Sequence, residues 1–407
     1  MRPIFKINQA YLYTIVVFFT IASYLLSSYP IIFCQFLPIP SITIITVLTI
    51  GLLAILLIFK RNLTAFIPAF NIVVVVQIAT WLFFTLYHSD SSYVTRIVFI
   101  VAAYLSLLAI HNCNGGILRF AKLYNYAILM MAVCGMLCFF LVLLFSFQPL
   151  FEFQNPDERT AYFFGLTCTN SYYGDVIRYA GFFDEPGAMA YWGVFALLFN
   201  RLFFRNSVYE KILIVSLAFT FSLAYYIQLI IYILLMKSLT LKQYILAFII
   251  LVTAFFIISE FENSEYGRIY DMTISRMEYD SSDGTLEGDN RSELAVNARK
   301  YFEKAPIMGN GARKMGMLEG TRAADNPYEI LAKDGIIGFL VTYSPLILVL
   351  LLKLNNREIL FSILILAAGY MQRPFHVNCM HCFMLYMFVL LCLQKEYNPN
   401  IQTKSVH

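Results

Sequence analysis

The sequence predicts an all-α, polytopic membrane protein with about 12 transmembrane helices, and no fewer than about 10. Of its 407 residues, 60% are hydrophobic and only 13% are charged, and the mean hydropathy is +0.69. A soluble fold of this composition would expose too much apolar surface to water. Apolar runs long enough to cross a hydrocarbon core of about 30 Å recur along the chain, without the alternation of barrel strands.

We treat residues 1–407 as a single integral membrane domain and place the spans at the apolar runs. The first run lacks a small-residue cleavage site and is followed by more apolar sequence, which favours an uncleaved span over a removed signal peptide. The predicted spans are residues 10–28, 41–59, 64–87, 93–110, 125–147, 187–204, 209–222, 224–238, 243–259, 335–353, 358–372 and 379–394.

Residues 211–236 are the most ambiguous part of this assignment. They are enough for one tilted span but short for two crossings. Two half-helices packed inside the bundle would fit, because broken helices are tolerated where protein surrounds them. The positive charge favours this interpretation, since a single span would export Lys237 and Lys242.

The basic residues beside the spans predict the orientation, because short loops rich in Lys and Arg stay in the cytoplasm. With an even number of crossings, nearly all of these residues fall on one face, and both termini are therefore expected to be cytoplasmic. The residues are Arg2, Lys6, Lys60, Arg61, Arg119, Lys122, Arg201, Arg205, Lys211, Lys237, Lys242, Lys353, Arg357 and Lys395. No basic block suggests a nucleic-acid partner.

Two segments, residues 148–186 and 260–334, are too long and too polar to be simple connections. With the orientation above, both form large loops on the outer face. Long loops in an otherwise economical membrane chain are usually functional. We therefore look for the chemistry in these loops and at the points where they enter the membrane.

The first loop ends in Arg178, Asp184 and Glu185, directly before Pro186 and the next span. Pro186 suits the first turn of a helix, and either acid could cap its free amides. Alternatively, the acids serve chemistry, because charge at the membrane entry is costly unless it handles an anion or a reacting hydroxyl. A partly desolvated carboxylate there would have the raised basicity of a general base.

The second loop contains a predicted amphipathic helix outside the membrane, which Asn290 can cap. Arg291 in its first turn lies beside the positive end of the helix dipole, where it gains nothing unless it binds an anion such as pyrophosphate. An ion pair with Glu287 or Asp289 is the alternative. The apolar positions recur at helical spacing: Leu294, Ala298 and Tyr301 or Phe302.

The chain then re-enters the membrane through Asp325, Asn326 and Pro327. Either polar residue can cap the helix that the proline begins, and capping alone would explain Asp325. Gly335 and Gly338 allow the helix to bend or to pack closely as it enters the bundle.

In the last outer turn, Arg373 at a span end is either a snorkelling charge or a further arginine aimed at the same site. The nearby His376, Cys379, His381 and Cys382 match no closed zinc spacing, so we predict no metal. The sequence contains no nucleotide-binding loop and no serine-centred elbow, and we expect no cofactor.

The order of these parts resembles the O-antigen ligase and polymerase superfamily. Its pattern matches Arg-x-x-Gly-x-Phe-x-Glu-Pro-Gly at residues 178–187 and an Arg-led helix ending in Pro-Ile-x-Gly-x-Gly at 291–311. A third match is the polar-Asn-x-Tyr re-entry followed by Gly-Ile-Ile-Gly at residues 325–338. The resemblance covers residues 178–407 as pattern and the whole chain as topology.

The resemblance implies a GT-C-like glycosyltransferase membrane fold in the inner membrane of a bacterium. The implied reaction is glycosyl transfer at the outer face, without metal or nucleotide, between undecaprenyl-pyrophosphate-linked oligosaccharides that serve as donor and acceptor. These substrates reach the site through membrane lipid. A chain-length regulator is a further candidate partner.

The resemblance also implies roles for single residues. Family arginines are thought to hold the pyrophosphate, which assigns Arg178 and Arg291, and we add Arg322 and Arg373 as candidates. The candidate general bases are Glu185, Asp184 and Asp325. Aromatic side chains could stack on sugars or form the interfacial belt. The stacking candidates are Tyr179, Phe183 and Tyr328.

Two alternatives to a polymerase remain. A ligase that moves polymer to a lipid A core would have a histidine before the Asn of the re-entry motif, where this chain has Asp325. A flippase would place charges within the spans and show related halves. Arg96 is the clearest charge inside an apolar run, whereas most charge lies in the outer loops, and this favours an enzyme.

Overall fold

The structure is a computed structural model and is mostly helical. It describes residues 9–27, 46–54, 63–113, 116–154, 159–183, 185–236, 256–262, 267–275, 279–280, 285–286, 292–316, 326, 328–372 and 379–394, with the single positions 242, 249 and 253.

Within the described residues, the helices follow the predicted apolar runs, and residues 46–54 are also helical. Most of the predicted span 243–259 lies outside the described residues. In chain order, the named helices are α1 (Gln9–Ser27), α2 (Pro68–His88), α3 (Ser92–His111), α4 (Gly116–Phe145), α5 (Pro186–Phe199), α6 (Ser207–Ala218), α7 (Leu223–Met236), α8 (Gly267–Thr273), α9 (Ser292–Lys304), α10 (Ala312–Gly316), α11 (Glu329–Thr342), α12 (Ser344–Leu352), α13 (Arg357–Gln372) and α14 (Cys379–Gln394). A π-helical turn, Asn200–Phe204, extends α5.

Within the described residues, five helical stretches are long and apolar enough to cross a membrane. They are Pro68–His88, Ser92–His111, Gly116–Phe145, Pro186–Phe204 and Glu329–Leu352. The helices α7 and α14 are shorter but equally apolar. The architecture is therefore that of a helical, membrane-embedded protein, as the composition predicts, and the total of about 12 spans remains a prediction.

The helices run up and down between two ends, which we call the basic end and the loop end. At the basic end, Arg205 pairs with Glu358 at 3.0 Å, and a nitrogen of Arg201 donates to the Met236 carbonyl at 2.5 Å. At the loop end, the two long polar segments meet, because Arg268 lies 3.8 Å from Asp175. Arg201 and Arg205, beside the spans, thus lie at the opposite end from the two long polar segments.

The prediction of two half-helices in residues 211–236 is confirmed. Helices α6 and α7 form an antiparallel hairpin whose turn covers residues 219–222. The Tyr225 hydroxyl donates to the Ile214 carbonyl at 2.9 Å, and the Tyr232 hydroxyl donates to Glu210 at 2.8 Å. Each helix is shorter than a full crossing of about 20 residues. The hairpin starts and ends at the basic end, where Arg201 bonds to the Met236 carbonyl.

One predicted boundary is wrong, because α4 begins at Gly116 and not near residue 125. Its first turns include Arg119 and Lys122, which the hydropathy pattern assigns to a loop. The Arg119 guanidinium lies 4.2 Å from the ring centroid of Tyr13 on α1. A long basic side chain can cover apolar surface while its charge reaches the polar boundary, so the helix continues past the apolar run.

The first long segment contains strands that the all-α prediction missed. Strands β1 (Phe151–Gln154), β2 (Thr160–Phe163) and β3 (Cys168–Thr169) form an antiparallel sheet in the order β1-β2-β3. A second, two-stranded hairpin pairs β4 (Tyr279–Asp280) with β5 (Thr285–Leu286). Strands of two to four residues are too short to give a clear period-two pattern.

Helix α9 confirms the predicted amphipathic helix in the second long segment. Its Ala298 is fully buried and packs with Ala332 of α11 and Met315 of α10, while Tyr301 and Tyr328 lie at the edge of this small cluster. The helix therefore leans on the re-entry segment through its apolar face.

The re-entry helix α11 is kinked at Gly335, which has φ 67° and ψ −170°. A side chain at Gly335 would overlap the Ile307 carbonyl, and one at Gly309 would overlap the backbone of Lys333 and Asp334. The two segments approach so closely that only glycine fits on both sides. The two Gly-containing motifs of the sequence thus contact each other through Gly309 and Gly335.

This contact predicts an unequal effect of two glycine substitutions. Gly309→Ala should destabilise the protein by about 1–2 kcal/mol through its positive φ, and by about 1–3 kcal/mol more through overlap with the α11 backbone. Gly174→Ala is the matched control, because Gly174 also has a positive φ, of 94°, but its added Cβ would meet nothing within 4 Å. Thermal unfolding in detergent compares the two. Equal losses would contradict the close approach.

Candidate functional site

Half of the residues predicted for the site lie outside the described part of the chain. These are Asp184, Arg291, Arg322, Asp325 and Arg373. Their roles stay predictions. The residues that the structure places are Arg178, Tyr179, Phe183, Glu185 and Tyr328.

Glu185 lies at the N-terminus of α5, in the N-cap position with φ −147° and ψ 155°. Its carbonyl accepts a hydrogen bond from the Ala188 amide at 3.0 Å, but its side chain makes no capping hydrogen bond. The carboxylate is 23% exposed and lies 3.7 Å from Arg159. The side chain of Glu185 therefore does not cap α5, and its carboxylate faces Arg159 instead.

Arg178 connects the first long segment to the tip of the α6–α7 hairpin. Its Nε donates to the Thr220 carbonyl at 3.2 Å, and a terminal nitrogen donates to the Phe221 carbonyl at 2.9 Å. Carbonyls past the end of α6 have no helical partner, and a cation there is favourable. Arg178 thus stabilises the hairpin turn in this structure, whatever else it binds.

The predicted stacking aromatics are mostly packing residues. Tyr179 is fully buried, donates a hydrogen bond to the Ser216 carbonyl at 2.7 Å and fills the space that Gly135 leaves. Phe183 is 7% exposed and stacks on Trp192. Only Tyr328 keeps appreciable exposure among the three. A ring must expose a face to stack on a sugar, which Tyr179 does not.

A buried ion pair that sequence analysis did not predict forms the centre of the loop end. Nη1 of Arg96 on α3 lies 2.5 Å from Oδ2 of Asp334 on α11. The Tyr93 hydroxyl donates to Oδ1 of the same carboxylate at 2.9 Å. Arg96 is 5% exposed and Asp334 is fully buried. An ion pair this deep in an apolar bundle is costly to form and marks a constrained position.

The guanidinium of Arg96 also lies beside two aromatic rings. Its carbon is 4.6 Å from the centroid of Trp81 and 4.8 Å from that of Tyr93. These rings stack on each other at 5.7 Å. Cation–π attraction is strongest where water is excluded, so the rings help to offset the desolvation of the charge.

Backbone hydrogen bonds around this pair dock residues 306–311 against α11. The amides of Asn310 and Gly311 donate to the carbonyls of Ala332 and Lys333 at 3.0 and 2.9 Å. In return, the Ile336 amide donates to the Pro306 carbonyl at 2.9 Å. The kink at Gly335 frees these backbone groups, and the loop satisfies them.

Asp90 fixes the far side of the same loop. Its carboxylate accepts hydrogen bonds from the amides of Ser92 at 2.9 Å and Arg313 at 2.6 Å. Burial would raise the pKa of this carboxyl, but the hydrogen bonds and the Arg313 charge outweigh it, so the pKa lies below its ordinary value. Nearby, Nε2 of His88 lies 3.0 Å from the Met308 carbonyl oxygen. The loop is thus attached at several points.

Part of this arrangement had a signal in the sequence. Arg96 stands out as a charge inside an apolar run, and the glycine motifs containing Gly309 and Gly335 predict a bend or a close approach. The pairing of Arg96 with Asp334 had no signal in the sequence, because the two residues are separated by 238 positions. Among the described residues, no group of three His, Cys, Asp or Glu side chains is arranged to hold a metal.

Comparison with protein-family models and with curated protein sequences gives no match for this chain. The superfamily resemblance therefore rests on the motifs alone.

The ion pair predicts strong coupling between its two members. Arg96→Met and Asp334→Asn should each destabilise the protein by about 3–5 kcal/mol, because each leaves an uncompensated polar group in the bundle. The double variant should lose less than the sum of the two. A double-mutant cycle of thermal unfolding in detergent measures the coupling. Additive losses would show that the two side chains do not interact.

The lowered pKa of Asp90 predicts a pH-dependent attachment of the loop. A carboxyl with a lowered pKa contributes stability above its unfolded pKa of about 3.9, and this contribution is lost as the pH falls through the folded value. Proteolysis after Arg313 should therefore remain slow at neutral pH and accelerate below about pH 4.

The variant Asp90→Ala is the matched control for this effect. It should be cleaved faster than the wild type at pH 7, and the difference between the two proteins should shrink as the pH falls. A constant difference at all pH values would exclude Asp90 as the titrating group.

Proposed function

We propose that the chain is a polymerase that joins undecaprenyl-pyrophosphate-linked oligosaccharide repeat units by glycosyl transfer. The observation that supports this most is the carboxylate of Glu185, which stands at the mouth of a membrane helix without a capping role. Such a position suits a general base that serves a lipid-linked substrate. The motif resemblance supplies the substrate class.

The arrangement of charge supports a site built at the loop end. Both long polar segments are found there and touch through Asp175 and Arg268. Glu185 and Arg178 lie in the first segment, and Tyr328 lies at the end of the second. A donor whose lipid tail stays in the bilayer would reach this end laterally, with its sugar and pyrophosphate among the loops.

The proposed reaction needs no cofactor. A hydroxyl oxygen of the acceptor sugar attacks the anomeric carbon of the donor, and its proton passes to a carboxylate, for which Glu185 is the described candidate. The bond from the anomeric carbon to the pyrophosphate oxygen breaks, and the lipid pyrophosphate leaves with the electron pair. Arginine stabilises the charge that develops on that leaving group.

The proposal also covers the fold, the membrane, the orientation and a partner. These are a GT-C-like fold with about 12 spans, a bacterial inner membrane, cytoplasmic termini and a chain-length regulator as partner. The separation of the basic end from the loop end supports this orientation.

A flippase for the same lipid-linked sugars is the second candidate. The buried pair of Arg96 and Asp334 favours it, because transporters place charges inside the bundle. However, this pair is closed by backbone contacts and by aromatic rings, which is typical of a structural connection. The ligase alternative differs only in the acceptor, and the Asp at position 325 instead of histidine weakens it.

Reconstitution in liposomes with a lipid-pyrophosphate repeat unit tests the function. A polymerase gives a ladder of products, a ligase gives one transfer to lipid A core, and a flippase moves the substrate without forming a glycosidic bond. Glu185→Gln should reduce the ladder about 10²–10⁴-fold, because the amide cannot accept the proton.

The matched control is Glu152→Gln, which neutralises another exposed carboxylate of the first segment. It should leave the ladder intact, and both variants should unfold at the wild-type temperature. A full ladder from Glu185→Gln would exclude this residue as the base. Transport without any ladder from the wild type would refute the polymerase.

A further inference from the structure

A small cavity lies among α2, α3, α11 and α14, directly beside the buried ion pair. Its polar lining consists of Gln77, Arg96, Thr342, His381, Cys382 and Tyr386. It is large enough for about one or two water molecules and too small for a sugar or a lipid headgroup. We propose that this cavity is an internal hydration site, in which ordered water bridges the guanidinium of Arg96 to the hydroxyl of Thr342.

The first observation is that Arg96 has unused hydrogen-bond donors. Among the described residues, its only hydrogen bond is from Nη1 to Asp334. The guanidinium carries further N–H groups in a rigid plane, and the residue is 5% exposed. Its aromatic neighbours Trp81 and Tyr93 contact the guanidinium through their rings. The remaining donors need an acceptor inside the bundle.

The second observation is independent and concerns Thr342. Its hydroxyl is buried and has no hydrogen-bond partner among the described residues, although the residue is only 9% exposed. Gln77 holds the adjacent backbone in place, because its Nε2 donates to the Val341 carbonyl at 2.8 Å. Its Oε1 accepts from the Tyr386 hydroxyl. Gln77 uses its amide for these bonds and leaves the Thr342 hydroxyl without one.

The charge balance selects water over an anion. Arg96 and Asp334 already form a neutral pair, so an anion in the cavity would bring an uncompensated negative charge into a low-dielectric region. The other titratable side chains on the cavity wall are His381, Cys382 and Tyr386. None of them is a lysine or a second arginine that could balance an anion.

Water also fits the chemistry of both groups. It can accept a hydrogen bond from the guanidinium and exchange one with the threonine hydroxyl, which closes both unsatisfied positions at once. Such water reduces the desolvation cost of Arg96. The charge of Arg96 is then stabilised by water as well as by Asp334.

Pulsed X-ray footprinting in H₂¹⁸O tests the proposal, because hydroxyl radicals formed from bound water label only adjacent side chains. Tyr386 and Cys382 should incorporate ¹⁸O at least about threefold faster than Tyr225. Tyr225 is a fully buried tyrosine of the α6–α7 hairpin, away from the cavity. Equal labelling of Tyr386 and Tyr225 would overturn the hydration site.

Two variants connect the label to the threonine hydroxyl. Thr342→Val keeps the shape and removes the hydroxyl, and it should lower the labelling of Tyr386 towards that of Tyr225. Thr342→Ser keeps the hydroxyl and should retain the wild-type labelling. Unchanged labelling in Thr342→Val would overturn the bridge to Thr342. Mass spectrometry of detergent-solubilised protein with wild-type thermal unfolding gives the readout for both variants.

Discussion

The loop end of this protein depends on one electrostatic constraint, the need to pair a charge that is buried in an apolar bundle. Arg96 cannot face lipid or aromatic rings alone, and Asp334 cannot be buried alone. Their contact fixes the re-entry helix against α3 at the kink at Gly335. The docking of residues 306–311 follows, because the kink exposes backbone groups that this loop satisfies.

The sequence predicts features that depend on patterns among neighbouring residues. It misses contacts between residues that are far apart in the chain. Hydropathy predicts the apolar helices, and residues 211–236 form the two helices that the charge rule favours over a single span. The spacing of Ala298 and its neighbours predicts the amphipathic helix. The partner of Arg96 lies 238 residues away, and no local pattern encodes such a pair. The sequence also does not predict the short strands of the first segment, since two to four residues show no periodicity.

The candidate site shows how structural and chemical roles can divide within one motif. In the segment that ends at Pro186, Arg178 and Tyr179 bond to the α6–α7 hairpin and hold its tip. Glu185 has no such structural bond from its side chain to the helix that follows it. The motif thus combines residues that hold the hairpin tip with one carboxylate that does not cap the helix after it. This division supports the proposed general base more than the motif pattern does by itself.

The claim that the ion pair holds the re-entry segment in place can be measured directly by hydrogen–deuterium exchange. In the purified chain in nanodiscs, peptides covering residues 306–316 and 328–337 should exchange slowly and together. The reason is that amides in each segment donate hydrogen bonds to carbonyls of the other. In Asp334→Ala, both peptides should lose protection while those of α5 keep it. Rapid exchange of these peptides in the wild type, or unchanged protection in Asp334→Ala, would contradict the account.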